Sequence, residues 1–550
     1  MSPELRTRAW TLDRTAPALV AAFVCAVIWL GTGPFQLGPS DWDDTMYVET
    51  AASGDFRWPL RNRYTHIWGL RLVQELVEPR ATAAALWSTL VVAALAVAGF
   101  FAGRRCGGTA CGLLAMVLVV LFPPVLRYMA IPHVDLTLAL FGMLTVLAAV
   151  AAVETESPWR SRASAIASGL CCFLALESKE TALVVPPLVL YLLAGTRRLK
   201  RHVYAEWFTG LTLGWCLLLM FDAAFMEPGQ RWASDLRDYL PWDKPQGGSG
   251  GASAPQKPTL ERELLSELSR NAYAAFTWTG LAGAAQGFRR SRWVKALALW
   301  GIGTLVFTAL IAWRSWTIDG RDRYLICIGA ALAPLSAAWV VQLWRRPPEN
   351  GRDNAIWLVP LLAVLSALAL WGLWQLYFGE AGKPEQSAAF FLAPVAMLLL
   401  FVSPWLSGGR VLPAAAALLL LAMSALASVG QARDNVAKER RHIAPWVELA
   451  RAADAAQAHI ALWRSRKHRL ARVRARLHSV SSRPIAELQV RVVDDPVQAR
   501  ADEWLFTGSE RDQTLERAGW LRVASVRSDH QPWSAYRRAG SSPAAPPDAP

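Results

Sequence analysis

The densest group of reactive side chains in this chain is the run SDWDDTMY, from Ser40 to Tyr47, with Asp41, Asp43 and Asp44 inside a single turn's length. A carboxylate placed beside a hydroxyl or amine can take its proton, and neighbouring carboxylates can also gather a hard cation. On a helix Asp43 and Asp44 point about 100° apart. One can then face an acceptor while the other holds a partner, and Tyr47 lies on their side. The same run also reads as an ordinary helix start, with Ser40 as N-cap, Asp43 three residues on, and acids favoured by the helix dipole.

Three more polar groups stand beside apolar runs. His133 and Asp135 occur in IPHVDLTLALF, Glu177, Lys179 and Glu180 in LALESKETAL, and Arg321, Asp322, Arg323 and Tyr324 in SWTIDGRDRYLI. Each has a plain structural reading. His133 and Asp135 can cap a helix after Pro132, Lys179 can snorkel between its acidic neighbours, and Arg323 with Tyr324 can anchor a span at the interface. Together the groups supply bases and cations, as a site that handles a lipid phosphate needs, since Arg and Lys receive phosphate oxygens. A divalent metal is an open possibility. Asp43, Asp44 and His133 could gather an ion, but a hard-cation site needs more oxygen ligands than this pattern offers.

The elements that must position these groups are membrane spans. The 550 residues are 53% hydrophobic and 18% charged, which is not the composition of a soluble enzyme. The 27 Trp suit an interfacial belt, and the +14 formal charge suits orientation in an anionic bilayer better than nucleic-acid binding. All seven cysteines fall in or beside apolar runs, so a disulfide framework is not expected. The first apolar run, about 16 to 35, is long enough to be a retained anchor rather than a signal-peptide core. Further runs near 81–102, 109–126, 134–153, 163–177, 181–195, 207–225, 272–288, 296–313, 324–344, 355–378, 388–406 and 411–430 bring the expected count to about 13 helices.

Basic clusters set the orientation. Arg6, Arg8 and Arg14, then Arg104 and Arg105, Arg160 and Arg162, Arg197 to Arg201, Arg289 to Lys295, and Arg345 to Arg352 fall on alternate sides of the spans. By the positive-inside bias they mark the cytoplasm and put the N-terminus there. The four polar groups, the loops 36–80 and 226–271 and the C-terminal part then lie on the opposite side. Residues 431–539 are polar and Arg-rich and are expected to form a small extramembrane α/β domain. Its elements are read as a helical start, strands at 488–493, 504–506 and 520–526, and a helix at 511–518. The tail 540–550 lacks the apolar content to fold.

With those residues in view the membrane part, about 16–430, resembles the GT-C class of polytopic glycosyltransferases, which includes protein O-mannosyltransferases and lipid A aminoarabinose transferases. The resemblance rests on DWDDTMY, HVDLTLALF, SKETAL and RDRYLICIGAALAPL. It implies an all-α membrane fold with a small extramembrane domain, and transfer of a sugar from a polyprenyl phosphate to a hydroxyl or amine. It implies Asp43 as the base with Asp44 beside it, and Lys179, Arg321 and Arg323 for the donor phosphate. Tyr47, His133, Asp135, Glu180 and Tyr324 would line the substrates. The family pair is more often Asp-Glu, whereas here it is Asp-Asp with Asp41 before it, so either Asp43 or Asp44 can be the base. No oligosaccharyltransferase WWDYG signature is present. The implied protein is an inner-membrane enzyme of a bacterial envelope whose partners are a polyprenyl-linked sugar, an acceptor glycan, lipid or protein, and membrane lipids. A transporter or flippase is the competing reading, and its mark would be charges in mid-span and related halves of the chain.

Overall fold

The computed structural model describes residues 3–33, 42–53, 63–77, 80–194, 201–225, 271–315 and 325–345. Beyond these it describes scattered positions between 429 and 463, and 490–493, 495–500, 503–507, 513–528 and 531–539. The expected spans at 355–378, 388–406 and 411–430, the loop 226–271 except for Asn271, and the tail 540–550 lie outside the described residues.

Apolar sequence on a backbone that must satisfy its own polar groups forms helices. The membrane part contains α1 (Pro3–Thr32), α2 (Trp42–Ser53), α3 (Tyr64–Gln74), α4 (Arg80–Gly107), α5 (Thr109–Leu121), α6 (Pro123–Tyr128) and α7 (Val134–Glu154). It continues with α8 (Pro158–Leu176), a 3-10 turn (Glu180–Val184), α9 (Val185–Ala194), α10 (Arg201–Phe225), α11 (Asn271–Gly287), α12 (Arg292–Ser315) and α13 (Leu325–Arg345). Five stretches, Asp13–Thr32, Arg80–Gly107, Val134–Glu154, His202–Phe221 and Leu325–Gln342, are long and apolar enough to cross a bilayer.

Two expected spans are not continuous α-helices. The run 109–126 breaks at Phe122, whose ψ of 125° is extended because Pro123 follows and its ring excludes the helical conformation from the residue before it. The run 181–195 opens with the tight 3-10 turn before α9. The loop expected at 36–80 carries α2 and α3 between the ends of α1 and α4.

A large apolar core runs through α4, α5, α7, α12 and α13, with Leu95, Val119, Met143, Leu297, Trp300 and Ile326 fully buried. Specific polar ties join the helices. Thr279 on α11 donates to Ser336 on α13 at 2.8 Å, and Trp293 at the start of α12 donates to Glu154 at the end of α7 at 2.5 Å.

The helices α8 and α10 cross backbone to backbone. A Cβ on Gly169 would run into the Trp207 carbonyl, and one on Gly210 into the Ile166 carbonyl. Small residues let membrane helices meet backbone to backbone, and here no flexible side chain is available to yield. Gly169→Leu is therefore expected to cost about 3 kcal/mol or more, the upper end for overpacking. The check is the thermal unfolding midpoint of the purified protein in detergent; an unchanged midpoint would show that the crossing is not tight.

The C-terminal part contains a five-stranded sheet of order β2-β1-β3-β5-β4, built from β1 (His459–Trp463), β2 (Val490–Val493), β3 (Glu503–Thr507), β4 (Trp520–Ser528) and β5 (Gln531–Arg538). β1 runs parallel to both β2 and β3, and β5 runs antiparallel to β3 and β4. The short helix α14 (Gln513–Arg517) puts Leu515 against Ala461, Trp463, Val493, Leu505, Trp520 and Tyr536. The strands expected at 488–493, 504–506 and 520–526 and the helix expected at 511–518 are present within a few residues of their expected bounds.

Candidate functional site

Successive membrane helices reverse direction, so the end of α1, the start of α4, the start of α7, the end of α8 and the start of the 3-10 turn meet at one end of the bundle. The helices α2 and α3 lie there. Arg71 of α3 donates to the Ala51 and Ala52 carbonyls at the end of α2, at 3.0 and 2.6 Å, and also pairs with Glu75. Gln74 donates to the Val48 carbonyl. Tyr47, Val48, Ala51, Ile67, Leu70, Ala84 and Val134 form one apolar cluster that seats both helices on α4 and α7. The first turn of α3 is tied to the end of α8, because Thr65 N–H donates to the Glu177 carbonyl at 3.2 Å.

The acidic run begins α2 as the sequence suggests. Asp44 is buried, at 2% exposure, and Tyr47 is buried too. The backbone of Asp43 belongs to the first turn of α2, while its side chain, together with Ser40 and Asp41, lies outside the described residues. Asp43 and Tyr47 stand one turn apart on α2, and the Tyr47 ring meets His66 of α3 edge-on with centroids 5.1 Å apart.

His66 is a site residue that the motifs do not mark. Its Nδ1 lies 2.9 Å from the Thr137 hydroxyl on α7 and accepts from the Trp87 indole on α4 at 3.3 Å. Because an indole N–H can only donate, Nδ1 must be the acceptor and the ring proton sits on Nε2. Burial, then the charges of His133 and Arg63, push its pKa down to about 3, so the ring is neutral near pH 7. A single His in the YTHIW run of a loop carries no periodicity that would have singled it out.

The second half of the site is a buried ion pair. The Lys179 ammonium contacts both oxygens of Asp135, at 2.7 and 2.8 Å, and both residues are almost fully buried. His133 caps α7, its Nδ1 accepting the Asp135 N–H at 3.3 Å. The same Nδ1 lies 3.2 Å from Asp135 Oδ2. One nitrogen cannot both accept from the amide and donate to the carboxylate, and with Lys179 already on Asp135 the capping role is the consistent one. Tyr128 packs against the His133 ring at 4.6 Å. Cys327, on the first turn of α13, lies within electrostatic reach of both Asp135 and Lys179. Hence α13 enters beside the pair.

Of the residues singled out from sequence, the structure thus brings Asp44, Tyr47, His133, Asp135 and Lys179 to one end of the bundle. Glu180 begins the 3-10 turn, with its side chain outside the described residues, and Arg321, Arg323 and Tyr324 lie outside them altogether. Among the described residues no three His, Cys, Asp or Glu side chains converge as a metal-binding group.

The chain's sequence and fold have known counterparts. Residues 64–221, which span α3 to most of α10 and include His66, His133, Asp135 and Lys179, match the dolichyl-phosphate-mannose-protein mannosyltransferase family. The chain also shares the fold of a solved membrane protein. It superposes on the crystal structure of ArnT from Cupriavidus metallidurans bound to undecaprenyl phosphate with a TM-score of 0.57 at 13% identity, covering 94% of this chain and 97% of that one. The apo state of the same ArnT gives 0.55 at 14% identity, with the same coverage. No curated relative matches the sequence significantly.

Proposed function

We propose that the chain transfers a sugar from a polyprenyl phosphate to an acceptor hydroxyl or amine at the extracytoplasmic face of the membrane. The observation that carries this reading is the buried acid, imidazole and ammonium groups gathered under α2 and α3, within the segment that matches the mannosyltransferase family. The ligand recorded for the structurally similar ArnT, undecaprenyl phosphate, supports a lipid-phosphate donor.

In the proposed reaction a carboxylate of the Asp43–Asp44 pair takes the proton of the acceptor O–H or N–H. The acceptor atom bonds to the anomeric carbon from the side opposite the leaving group, which inverts it. The bond from that carbon to the phosphate oxygen breaks, and its electron pair departs with the polyprenyl phosphate. General base catalysis supplies about 10² to 10⁴ of the rate, and cations near the departing phosphate stabilise its growing charge. Arg321 and Arg323, which precede α13 by four and two positions, are the candidates, because the Lys179 charge is already taken by Asp135. Arg104 and Arg105 at the end of α4, Arg160 and Arg162 at the start of α8, and Arg289 to Lys295 before and within α12 all lie at the far end of the bundle. That asymmetry supports a cytoplasmic far end and an extracytoplasmic site.

Arg323→Ala is expected to raise the apparent KM for the lipid donor about ten-fold or more while changing the acceptor KM little, since a charge-assisted hydrogen bond to phosphate contributes about 1.5 to 3 kcal/mol. The measurement is steady-state transfer by the reconstituted protein with each substrate varied in turn. An unchanged donor KM removes Arg323 from the donor site. A flippase would move the lipid without breaking its sugar–phosphate bond, so product analysis in the same assay separates the two readings.

A further inference from the structure

A helix shorter than about 12 to 15 residues is marginal on its own. The helix that carries the acidic pair, α2, has 12 residues, and its neighbour α3 has 11. Their positions must therefore come from tertiary contacts, and α3 supplies those of α2. His66, Leu70 and Gln74 follow one another at one-turn intervals along one stripe of α3. The His66 ring meets Tyr47 edge-on, Leu70 packs in one cluster with Tyr47, Val48 and Ala51, and Gln74 donates to the Val48 carbonyl at 3.2 Å. Arg71 closes the far end of α2 through the Ala51 and Ala52 carbonyls.

One side chain joins this unit to the membrane bundle. His66, only 1% exposed, touches three other helices at once. Its ring lies 5.1 Å from Tyr47 of α2, its Nδ1 accepts from the Trp87 indole of α4 at 3.3 Å, and the same Nδ1 lies 2.9 Å from the Thr137 hydroxyl of α7. The Trp87 ring also meets the imidazole edge-on, with centroids 6.3 Å apart. Trp87 reaches it only because residue 69 is glycine: a Cβ on Gly69 would run into the indole. Glycine is a poor residue for a helix interior, and the seat of Trp87 under α3 accounts for it. With Nδ1 carrying no proton, Trp87 and the Thr137 hydroxyl both donate to its single lone pair. That lone pair is therefore occupied, and His66 has no free position at Nδ1 to take a proton from a substrate.

We infer that His66 is a positioning residue for the base: it locks Tyr47, and through it α2 and the Asp43–Asp44 pair, against α4 and α7. The inference rests on the transferase reading above and goes beyond it by assigning a residue that acts through another helix. Asp43 precedes Tyr47 by four positions, so one turn of α2, a rise of about 6 Å, carries the position of the Tyr47 ring to the acid. Proton transfer needs the base within hydrogen-bond reach of the acceptor atom. A displacement of about 1 Å can lower the rate about 10²-fold even when the altered residue lies away from the reacting atoms.

The test uses the full-length protein in nanodiscs with three variants. His66→Ala removes both the ring and the acceptor. His66→Asn places an amide oxygen near the position of Nδ1, so it keeps an acceptor for Trp87 and Thr137 but loses the ring edge on Tyr47. Trp87→Phe removes one donor and keeps the ring. Three quantities are read: sugar transfer at saturating substrate from undecaprenyl phosphate carrying mannose, glucose, galactose or 4-amino-4-deoxyarabinose, with envelope glycolipids as acceptors; the Kd for bare undecaprenyl phosphate; and amide hydrogen exchange. His66→Ala is expected to lower the transfer rate about 10²-fold, leave the Kd within about two-fold, and speed exchange in α2 but not in α4 or α7. His66→Asn should recover part of the rate. Trp87→Phe should lose about two- to ten-fold, the worth of one hydrogen bond, and carries the comparison if His66→Ala does not fold. An unchanged rate in the variants would overturn the proposal. So would equal loss of rate and of undecaprenyl phosphate binding with faster exchange throughout the bundle, which would give His66 a role in the fold alone. Absence of transfer by the unchanged protein would instead remove the transferase reading, and α2 exchange would then decide by itself whether His66 holds that helix.

Discussion

Lys179→Met is expected to destabilise the folded protein by about 3 to 5 kcal/mol, the cost of leaving a buried charge without its partner. The ammonium rests on both oxygens of Asp135 at 2.7 and 2.8 Å, and neither residue reaches solvent to an extent that would rehydrate it. His133 cannot take over while its Nδ1 accepts the Asp135 amide. Once Lys179 is gone, the carboxylate must either take up a proton or drag the start of α7 toward water. The double variant Lys179→Met with Asp135→Leu removes both charges and should recover much of the loss, because replacing a whole buried pair by apolar groups is often nearly neutral. Thermal unfolding of the single and double variants measures this. A single variant as stable as the parent would mean that the pair is solvated.

Asp43→Asn is expected to lower the transfer rate by about 10² to 10⁴ while leaving abundance and unfolding midpoint unchanged. The amide keeps the shape of the side chain and its place in the first turn of α2, but it cannot take a proton. Asp44→Asn separates the two carboxylates. Asp44 is buried, so its loss should affect stability as well as rate, whereas the base should affect rate alone. Full activity in Asp43→Asn, with loss in Asp44→Asn, would shift the base by one residue without changing the chemistry.

Much of the membrane fold is legible in the sequence because a bilayer imposes a coarse rule. Apolar runs of span length become helices, and α4, α7 and α13 lie within a few residues of their hydropathy runs. The rule fails where local sterics intervene, as at Phe122 before Pro123, or where a polar rim becomes structured, as in α2 and α3. In the C-terminal sheet, β2, β3 and β4 can be read from β-branched and aromatic content. β1, HIALW, sits between helix-like Arg- and Ala-rich stretches, and β5 contains a proline, so neither stands out.

Motifs mark residues of the candidate site but not their partnerships. Sequence marks Lys179 as a cation for phosphate, and only the fold shows that Asp135, 44 positions earlier, already holds it. No motif marks His66, because its contacts depend on Trp87 and Thr137, brought together from two other helices. Long-range pairing of this kind leaves no periodic trace in one sequence.

The most direct test is mass spectrometry of the lipids in proteoliposomes that hold the purified protein, a sugar-linked undecaprenyl phosphate and envelope glycolipids as acceptors. The account predicts that free undecaprenyl phosphate and a glycosylated acceptor appear together in equal amounts with the unchanged protein, and almost none of either with Asp43→Asn. Intact donor recovered in the opposite leaflet, its sugar still attached, would contradict it.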